Sequence, residues 1–272
     1  MTDGYSGKIL HVDLTSGNIE VEEPDETFYR TYVGGSAMGA YYLFRETPQG
    51  ADPLGPENTL SLMLGPVTGA PISGQSRVSA TAKSPLSGLA AESTGGGFWP
   101  AELKFAGFDG IVIRGKAERP LYLWIQDGEV ELREAGHLMG KFTAEVEDLI
   151  RDELGDKRVH VLQCGPAAEK GVLFGALINH ANRANGRSGM GTVMASKNLK
   201  AVAVRGHQRP QIADRDALME LAKWGAQNVS DSGVTGMHEL GTAGITLGQS
   251  ASGGLPTRNW SSGYFEGAEE IT

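Results

Sequence analysis

Two stretches of this chain gather groups able to hold a large anion. The first is Arg77 together with Ser93-Thr94-Gly95-Gly96-Gly97. Successive backbone N–H groups freed of side chains make an anion-binding nest, and a helix starting just beyond adds positive potential. A guanidinium at Arg77 can meet a phosphate, or the heteroatoms of a fused ring, through two parallel N–H donors. A triple glycine alone is more often a tight loop. Nor does it fit the dinucleotide pattern, because Gly-x-Gly-x-x-Gly does not occur here at the required spacing after a strand. The second stretch runs from Asn179 to Gly191 and holds two arginines, three asparagines and three glycines in thirteen residues. Donors dominate it, so its natural ligand is anionic or rich in acceptors. The bland alternative is an exposed basic loop; against it, the chain as a whole is acidic and this run of donors stands apart.

Other chemistry is thinner. His180 could act as acid or base, but a single histidine among asparagines is more often a structural hydrogen-bonder. Cys164 lies in an apolar segment and reads as a small buried hydrophobe. Glu92 could be a general base, though a solvated carboxylate is the simpler reading. No Ser-His-Asp set and no zinc spacing is present. Lysine and arginine number 24 against 33 acidic residues, a net charge of −9 that disfavours a nucleic-acid platform. No apolar secretory core and no run of 18 apolar residues occurs, so the expectation is a cytoplasmic protein without a membrane span. One cysteine excludes an internal disulfide and an all-cysteine metal site.

These groups must be carried by elements, and the chain suggests many short ones. Leu10, Val12 and Leu14 alternate on one face before a turn at Thr15-Ser16-Gly17, which predicts an opening hairpin. Asp25 is placed to cap a helix over Phe28, Tyr29 and Tyr32, and a second helix is expected over Ala37–Arg45. Strands are expected at Leu60–Leu64, Arg77–Ala82, Gly110–Ile113 and Arg158–Cys164. Asp127-Gly128 marks a hairpin between Leu121–Ile125 and Glu129–Leu132. Pro100 opens a helix closed by Gly107, and another helix runs from near Thr143 to Gly155. Ser93–Gly97 and Asn179–Gly191 read as loops. A weak repeat runs through this order. Leu60–Leu64 ends at Gly65-Pro66 and Arg158–Cys164 at Gly165-Pro166, and each half closes on a strand ending Arg-Gly, at 114–115 and 205–206. Strand–Gly-Pro turns are common in themselves, yet two sheet units, each presenting one glycine-rich loop, would account for the pattern. Beyond Gly206 the texture changes: Asp214 caps a helix with Ala217, Leu218, Leu221 and Trp224, and a Gly- and Ser-rich stretch follows.

Several blocks resemble the tungsten-containing aldehyde ferredoxin oxidoreductases. They are Gly4-Tyr5-Ser6-Gly7-Lys8-Ile9-Leu10 with Asp13-Leu14 and Gly17, Lys83-Ser84-Pro85-Leu86, and above all Ala101-Glu102-Leu103-Lys104-Phe105-Ala106-Gly107-Phe108-Asp109 with Gly115-Lys116-Ala117. Gly186-Arg187, Gly189, Gly191 and Ser196-Lys197-Asn198-Leu199-Lys200-Ala201 match a further block, and the likeness continues loosely to Leu255–Trp260. The resemblance implies an α+β fold in which two related β-sheets with short helices form the base for a bis-pterin cofactor. It implies a cofactor-binding domain over 1–210, and at 211–272 the beginning of a truncated, mainly helical second domain. Carried over by position, the cofactor contacts are Arg77, Thr94, Gly95 and Gly96 from one half and Arg183, Ala184 and Gly186 from the other. A magnesium ion bridging the pterin phosphates is expected at the carbonyls of Thr94 and Ala184. Some relatives have Asn where this chain has Thr94, a change that a main-chain contact survives.

The implied reaction is aldehyde plus water to carboxylic acid, on a tungsten (or molybdenum) bis-pyranopterin, with electrons leaving through a [4Fe-4S] cluster to ferredoxin or an electron-transfer subunit. The family's Cys-x-x-Cys-x-x-x-Cys cluster ligands and its proposed catalytic Glu and His fall outside these 272 residues, so this chain alone is expected to be inactive and its catalytic residues are not identified. A homodimer is compatible with the family. Two alternatives stay open: the tungsten subunit of an aromatic-ring-reducing, benzoyl-CoA reductase-like complex, and an inactive pterin-binding module.

Overall fold

Alternating apolar residues place β1 (Ile9–Asp13) antiparallel to β2 (Asn18–Glu22), as the opening hairpin predicts. In the computed structural model, which describes residues 3–272, this hairpin is one side of a six-stranded mixed sheet. The rest of that sheet is β3 (Leu60–Met63), β4 (Arg77–Lys83), β5 (Ala90–Gly96) and β6 (Gly110–Arg114), in the order β2-β1-β6-β3-β4-β5. A second six-stranded sheet uses the strands that follow: β7 (Leu121–Gln126), β8 (Glu129–Glu134), β9 (His160–Cys164), β10 (Leu177–Asn179), β11 (Arg183–Asn185) and β12 (Leu199–Arg205). Asp127-Gly128 makes its first hairpin, with φ of 49° and 99° as a two-residue turn of that kind requires.

The second sheet repeats the first. Its order, β8-β7-β12-β9-β10-β11, is the same walk through the strands, and its first and last strands pair parallel, just as β1 and β6 do. The registers agree as well. Met63 lies opposite Ser79 and Gly110, and Gln163 lies opposite Ile178 and Ala201. From there Gly110 leads to Ile9 and Glu22, and Ala201 to Tyr122 and Arg133. One correspondence thus threads all five ladders, apart from a bulge between Leu199 and Ala201. The duplication suggested by Gly65-Pro66 and Gly165-Pro166 is a property of the whole fold.

Matching positions also fill the core. Leu10, Leu62, Val78, Ile111 and Ile113 from one sheet and their counterparts Leu123, Leu162, Leu177, Val202 and Val204 from the other are all buried in one cluster. Two short helices complete it reciprocally. α3 (Trp99–Phe105) leaves the first sheet and packs on β9 and β12, while α6 (Met190–Ser196) leaves the second and packs on β3 and β4. Trp99 is fully buried and its indole N–H donates to Val202 O at 2.8 Å. Such reciprocal contacts are what two copies related by an approximate two-fold produce. Outside, α1 (Glu26–Tyr32), capped by Asp25 through Phe28 N at 2.9 Å, and α2 (Gly35–Glu46) cover the first sheet with an aromatic cluster around Tyr29 and Tyr42. α4 (Thr143–Leu154) covers the second sheet through Val146 and Ile150 and stops at Gly155, whose φ is 69°. A single turn, α5 (Pro166–Glu169), follows β9.

Two sequence expectations are corrected. Ser93–Gly97 is largely strand, not a nest-forming loop: Thr94 pairs with Ser79 and Gly96 with Arg77. Asn179–Gly191 is not a continuous loop either; it holds the end of β10, the strand β11 and the start of α6. Glycine and asparagine are poor strand formers, so local preference misled here, and pairing with a neighbouring strand decided the conformation.

The chain divides at Ala213–Asp214 into two compact units, the smaller running to Thr272. In the smaller one Asp214 caps α7 (Arg215–Asn228) through Ala217 N at 2.9 Å, and short helical turns follow at 235–240 and 246–251.

Candidate binding site

The last strand of each sheet is its edge, and the two edges, β5 and β11, lie against each other. Side chains of the second half close this seam on the main chain of the first. Asn179 Nδ2 donates to Gly96 O at 2.8 Å, and Asn185 Nδ2 donates to Val78 O at 3.1 Å and Ser93 O at 2.5 Å. Arg187 N donates to Ser93 Oγ at 3.3 Å. Glycine is required on the receiving side: a Cβ on Gly95 would meet the Asn185 amide carbon at 2.9 Å, and one on Gly97, where φ is 114°, would meet that of Asn179 at 3.0 Å.

Two clefts border the seam and share Thr94. The first, about 540 Å³, is lined by Gln75, Ser76, Arg77, Thr94, Gly96, Gly97 and Asn182-Arg183-Ala184. The second, about 560 Å³, is lined by Glu92-Ser93-Thr94 and Gly186-Arg187. The fold's internal correspondence relates them. Ser79 pairs with Thr94 and its counterpart Ile178 with Ala184, so Thr94 matches Ala184 and Gly96 matches Gly186. By the same count Asn182-Arg183-Ala184 matches Glu92-Ser93-Thr94 and Gly96-Gly97 matches Gly186-Arg187, so each residue lining the second cleft has a counterpart in the first, while Gln75-Ser76-Arg77 lines the first alone.

Five of the seven sequence-predicted positions, Arg77, Thr94, Gly96, Arg183 and Ala184, share the first cleft. Gly186 lines the second. Gly95 lines neither and faces Asn185 instead. At Gly96 the nearest atoms an added Cβ would meet are 3.7 Å away or more, and at Gly186 the nearest is 3.8 Å away. An atom added at either would meet only ordinary van der Waals neighbours, so the bare backbone stays open to close approach by a ligand that a larger side chain would obstruct.

The arginines of the larger unit sort cleanly. Arg30, Arg45, Arg114, Arg119, Arg133, Arg151, Arg158 and Arg205 pair with carboxylates, and Arg209 lies 3.9 Å from the centre of the Phe105 ring. Arg77, Arg183 and Arg187, all on the clefts, have no carboxylate or side-chain hydrogen-bond partner among the described residues. Three uncompensated guanidiniums in a chain of net charge −9 make this region a local anion attractor.

The weaker candidates separate. His180 sits on the β10–β11 turn at φ 49°, its ring 5.1 Å from that of Phe98. Cys164 is fully buried in β9, and burial pushes its thiol up to about 12. Glu92 lines the second cleft and accepts from Thr94 Oγ1 at 2.9 Å. No cluster of three or more His, Cys, Asp or Glu suited to a metal occurs among the described residues. Sequence reasoning missed Gln75 and Ser76 as lining residues, and missed the bracing by Asn179 and Asn185. Ser76 Oγ donates to Gly97 O at 2.6 Å, a contact that nothing local signals.

The sequence profile of the aldehyde ferredoxin oxidoreductase N-terminal domain matches residues 9–206, which include both sheets and both clefts. This chain belongs to the aldehyde ferredoxin oxidoreductase family. Tungsten-containing aldehyde ferredoxin oxidoreductases of Pyrococcus abyssi and Thermococcus kodakarensis are 43% and 40% identical to it, over 98% of this chain and 44% of each of those proteins. The WOR-like subunit of the aliphatic sulfonate oxidoreductase of Pyrococcus furiosus is 33% identical over 97% of this chain and 45% of its own length. A solved structure, the active site complex BamBC of benzoyl coenzyme A reductase with 1,5-dienoyl-CoA, is 35% identical. It superposes with a TM-score of 0.82 over 85% of this chain and 35% of that one. The chain thus spans less than half the length of these oxidoreductase relatives. No helix among the described residues is long and apolar enough to cross a membrane. The tungsten-containing relatives imply a pterin-type cofactor, and the residues present fit one: two corresponding cradles of bare backbone, with unpaired guanidiniums for its anionic groups.

Proposed function

We propose that this chain carries the platform for a tungsten bis-pyranopterin cofactor in an oxidoreductase that converts aldehydes to carboxylic acids with ferredoxin as electron acceptor. One observation supports this above the others: equivalent edge positions of a duplicated fold, Thr94–Gly96 and Ala184–Gly186, line two clefts along one seam, for a cofactor made of two matching halves. Gly96 and Gly186 allow the backbone to approach each half. Arg77 and Arg183 hold phosphate groups through charge-assisted hydrogen bonds, each worth roughly 1.5–3 kcal/mol. Thr94 and Ala184 offer main-chain oxygens to a magnesium ion between the phosphates, and Gly95 keeps β5 close to β11. When bound, the cofactor supplies the two-electron chemistry; the protein supplies placement and electrostatics. Tungsten rather than molybdenum is favoured by the names of the relatives.

A [4Fe-4S] cluster does not fit this chain. Such a cluster takes four ligands, usually thiolates, and Cys164 is one buried thiol. The 272 residues alone are therefore inactive, and electrons leave through parts of a longer protein or through a partner subunit. We assign cofactor binding to 1–210 and read 211–272 as the start of a mainly helical second domain. The working protein is cytoplasmic, and a homodimer suits the family. The likeness to the benzoyl coenzyme A reductase complex favours a second reading, the tungsten subunit of an aromatic-ring-reducing enzyme. An empty pterin-binding module is the third.

Metal analysis of the purified full-length protein, with pterin fluorescence after oxidation, tests the platform: one tungsten and two pterins per chain are expected, and absence of both leaves the empty module. Assays of aldehyde oxidation with ferredoxin and of aryl-CoA reduction on the same preparation separate the two enzymes.

A further inference from the structure

The β10–β11 turn brings Asn182-Arg183-Ala184 to the first cleft, and it is strained. His180 and Ala181 lie one after the other in the left-handed region, with φ of 49° and 55°, where a side chain is disfavoured. Three residue pairs join β10 to β11, whereas seven join their counterparts β4 and β5. The second half therefore turns where the first runs on. Ile178 corresponds to Ser79, so His180 corresponds to Thr81, which pairs with Glu92 in mid-ladder.

The helix behind this place differs as well. α2 and α4 are twelve residues each, and both bury their fourth, fifth and eighth residues. The fifth is Gly39 in α2, so close to the sheet that a Cβ there would meet Thr81 Cβ at 2.8 Å. In α4 it is Glu147, buried on the side of His180. Arg151 Nη2 lies 2.5 Å from Glu147 Oε1, yet neither carboxylate oxygen nor His180 Nδ1 has a hydrogen-bond partner among the described residues. Burial holds the Glu147 carboxyl above its ordinary range; Arg151 and His180 favour its charged form and Asp148 opposes it. From the other elements, the rings of Phe98 and His160 lie 5.1 and 6.0 Å from that of His180, and Glu102 and Arg205 act on His160 beyond. A protonated imidazole is the donor that a buried carboxylate lacks, and the carboxylate in turn favours the protonated ring.

We propose that Glu147 is a positioning residue of the first cleft: paired with protonated His180, it holds the strained turn and so keeps Arg183 at the cleft. This rests on reading that cleft as an anion site.

Its test uses the 272-residue chain and sulfate, whose charge is constant through the neutral range, with binding followed by calorimetry. Glu147→Gln removes a negative charge near an anion site, so an effect of the field alone would tighten sulfate binding. The positioning role predicts the opposite, about tenfold weaker binding at neutral pH. His180→Gln should weaken it about as much, and the two substitutions together no further. In Arg183→Ala, which lacks the group being positioned, neither should matter. The loss in Glu147→Gln should also shrink as pH rises and imidazoles give up their protons. Tighter binding, a loss constant with pH, or a loss that persists in Arg183→Ala removes the role of Glu147; sulfate binding that Arg77→Ala still weakens keeps the cleft. Should Glu147→Gln not fold, His180→Gln with and without Arg183→Ala decides by the same outcomes. If the unaltered chain binds no sulfate, the anion cleft falls and the role of Glu147 with it.

Discussion

Gly95 and Asn185 hold equivalent places in the two sheets and lie against each other. Val78 pairs with Gly95, and its counterpart Leu177 pairs with Asn185. Near an approximate two-fold, counterparts meet, and there is room for one side chain where the strands come closest. This chain puts the asparagine on β11, whose amide reaches Val78 O and Ser93 O, and leaves β5 bare. Gly95→Ala should therefore displace the Asn185 amide and cost about 1–3 kcal/mol, as overpacking does. Gly96→Ala, one residue on, would make only ordinary contacts at 3.7 Å or more and should change stability by no more than about 0.5 kcal/mol. Urea denaturation of the two variants checks this, and equal costs would show that the seam is not packed as described.

Gly96 and Gly186 are separated by most of the second sheet in sequence and by one seam in space. If the clefts hold the two halves of one pterin-type cofactor, as proposed, Gly96→Val or Gly186→Val in the full-length protein should each abolish loading of the whole cofactor, since each half would be held only together with the other. Tungsten and pterin content measure this. Mild, independent losses, about half the pterin in each variant, would mean that the clefts do not serve one ligand.

Lys197 is fully buried beside Pro56 O and Gly115 O, to which its Nζ donates at 3.2 and 3.1 Å. Burial brings its ammonium down from 10.5 to about 8, with Asp13 opposing. Between those values the unfolded chain binds more protons than the folded one, so this group makes stability rise as pH climbs from about 8 to 10.5. At about 1.4 kcal/mol per pH unit the full effect is on the order of 3 kcal/mol. Cys164, raised to about 12 by burial, acts in the opposite sense above its ordinary value of 9.0. Comparing Lys197→Met with the unaltered chain cancels that contribution. Denaturant titrations across this range should give the variant a smaller rise, and parallel curves would contradict the assignment.

Prepared alone and anaerobically with iron and sulfide, the 272-residue chain should show no iron–sulfur absorbance and oxidise no aldehyde. Cys164 is its one thiol, and a cubane cluster needs four ligands. Stoichiometric iron and sulfide on a monomer would overturn this.

Much of the frame was legible in sequence because its signals are local. Asp25 and Asp214 cap their helices, Asp127-Gly128 turns its hairpin, and Gly155 stops α4, each through contacts within a few residues. The residue types at Arg77, Gly96, Arg183 and Gly186 singled out positions that the fold brings to the two clefts. Tertiary structure alone decided that Ser93–Gly97 and Arg183–Asn185 are strands. Their conformation comes from a neighbouring strand, not from their own preferences. It alone revealed that the duplication reaches into every ladder, since register is a relation between distant segments. And it alone made Glu92 the counterpart of Asn182, because equivalence between two sheets is fixed by register with strands far away in sequence.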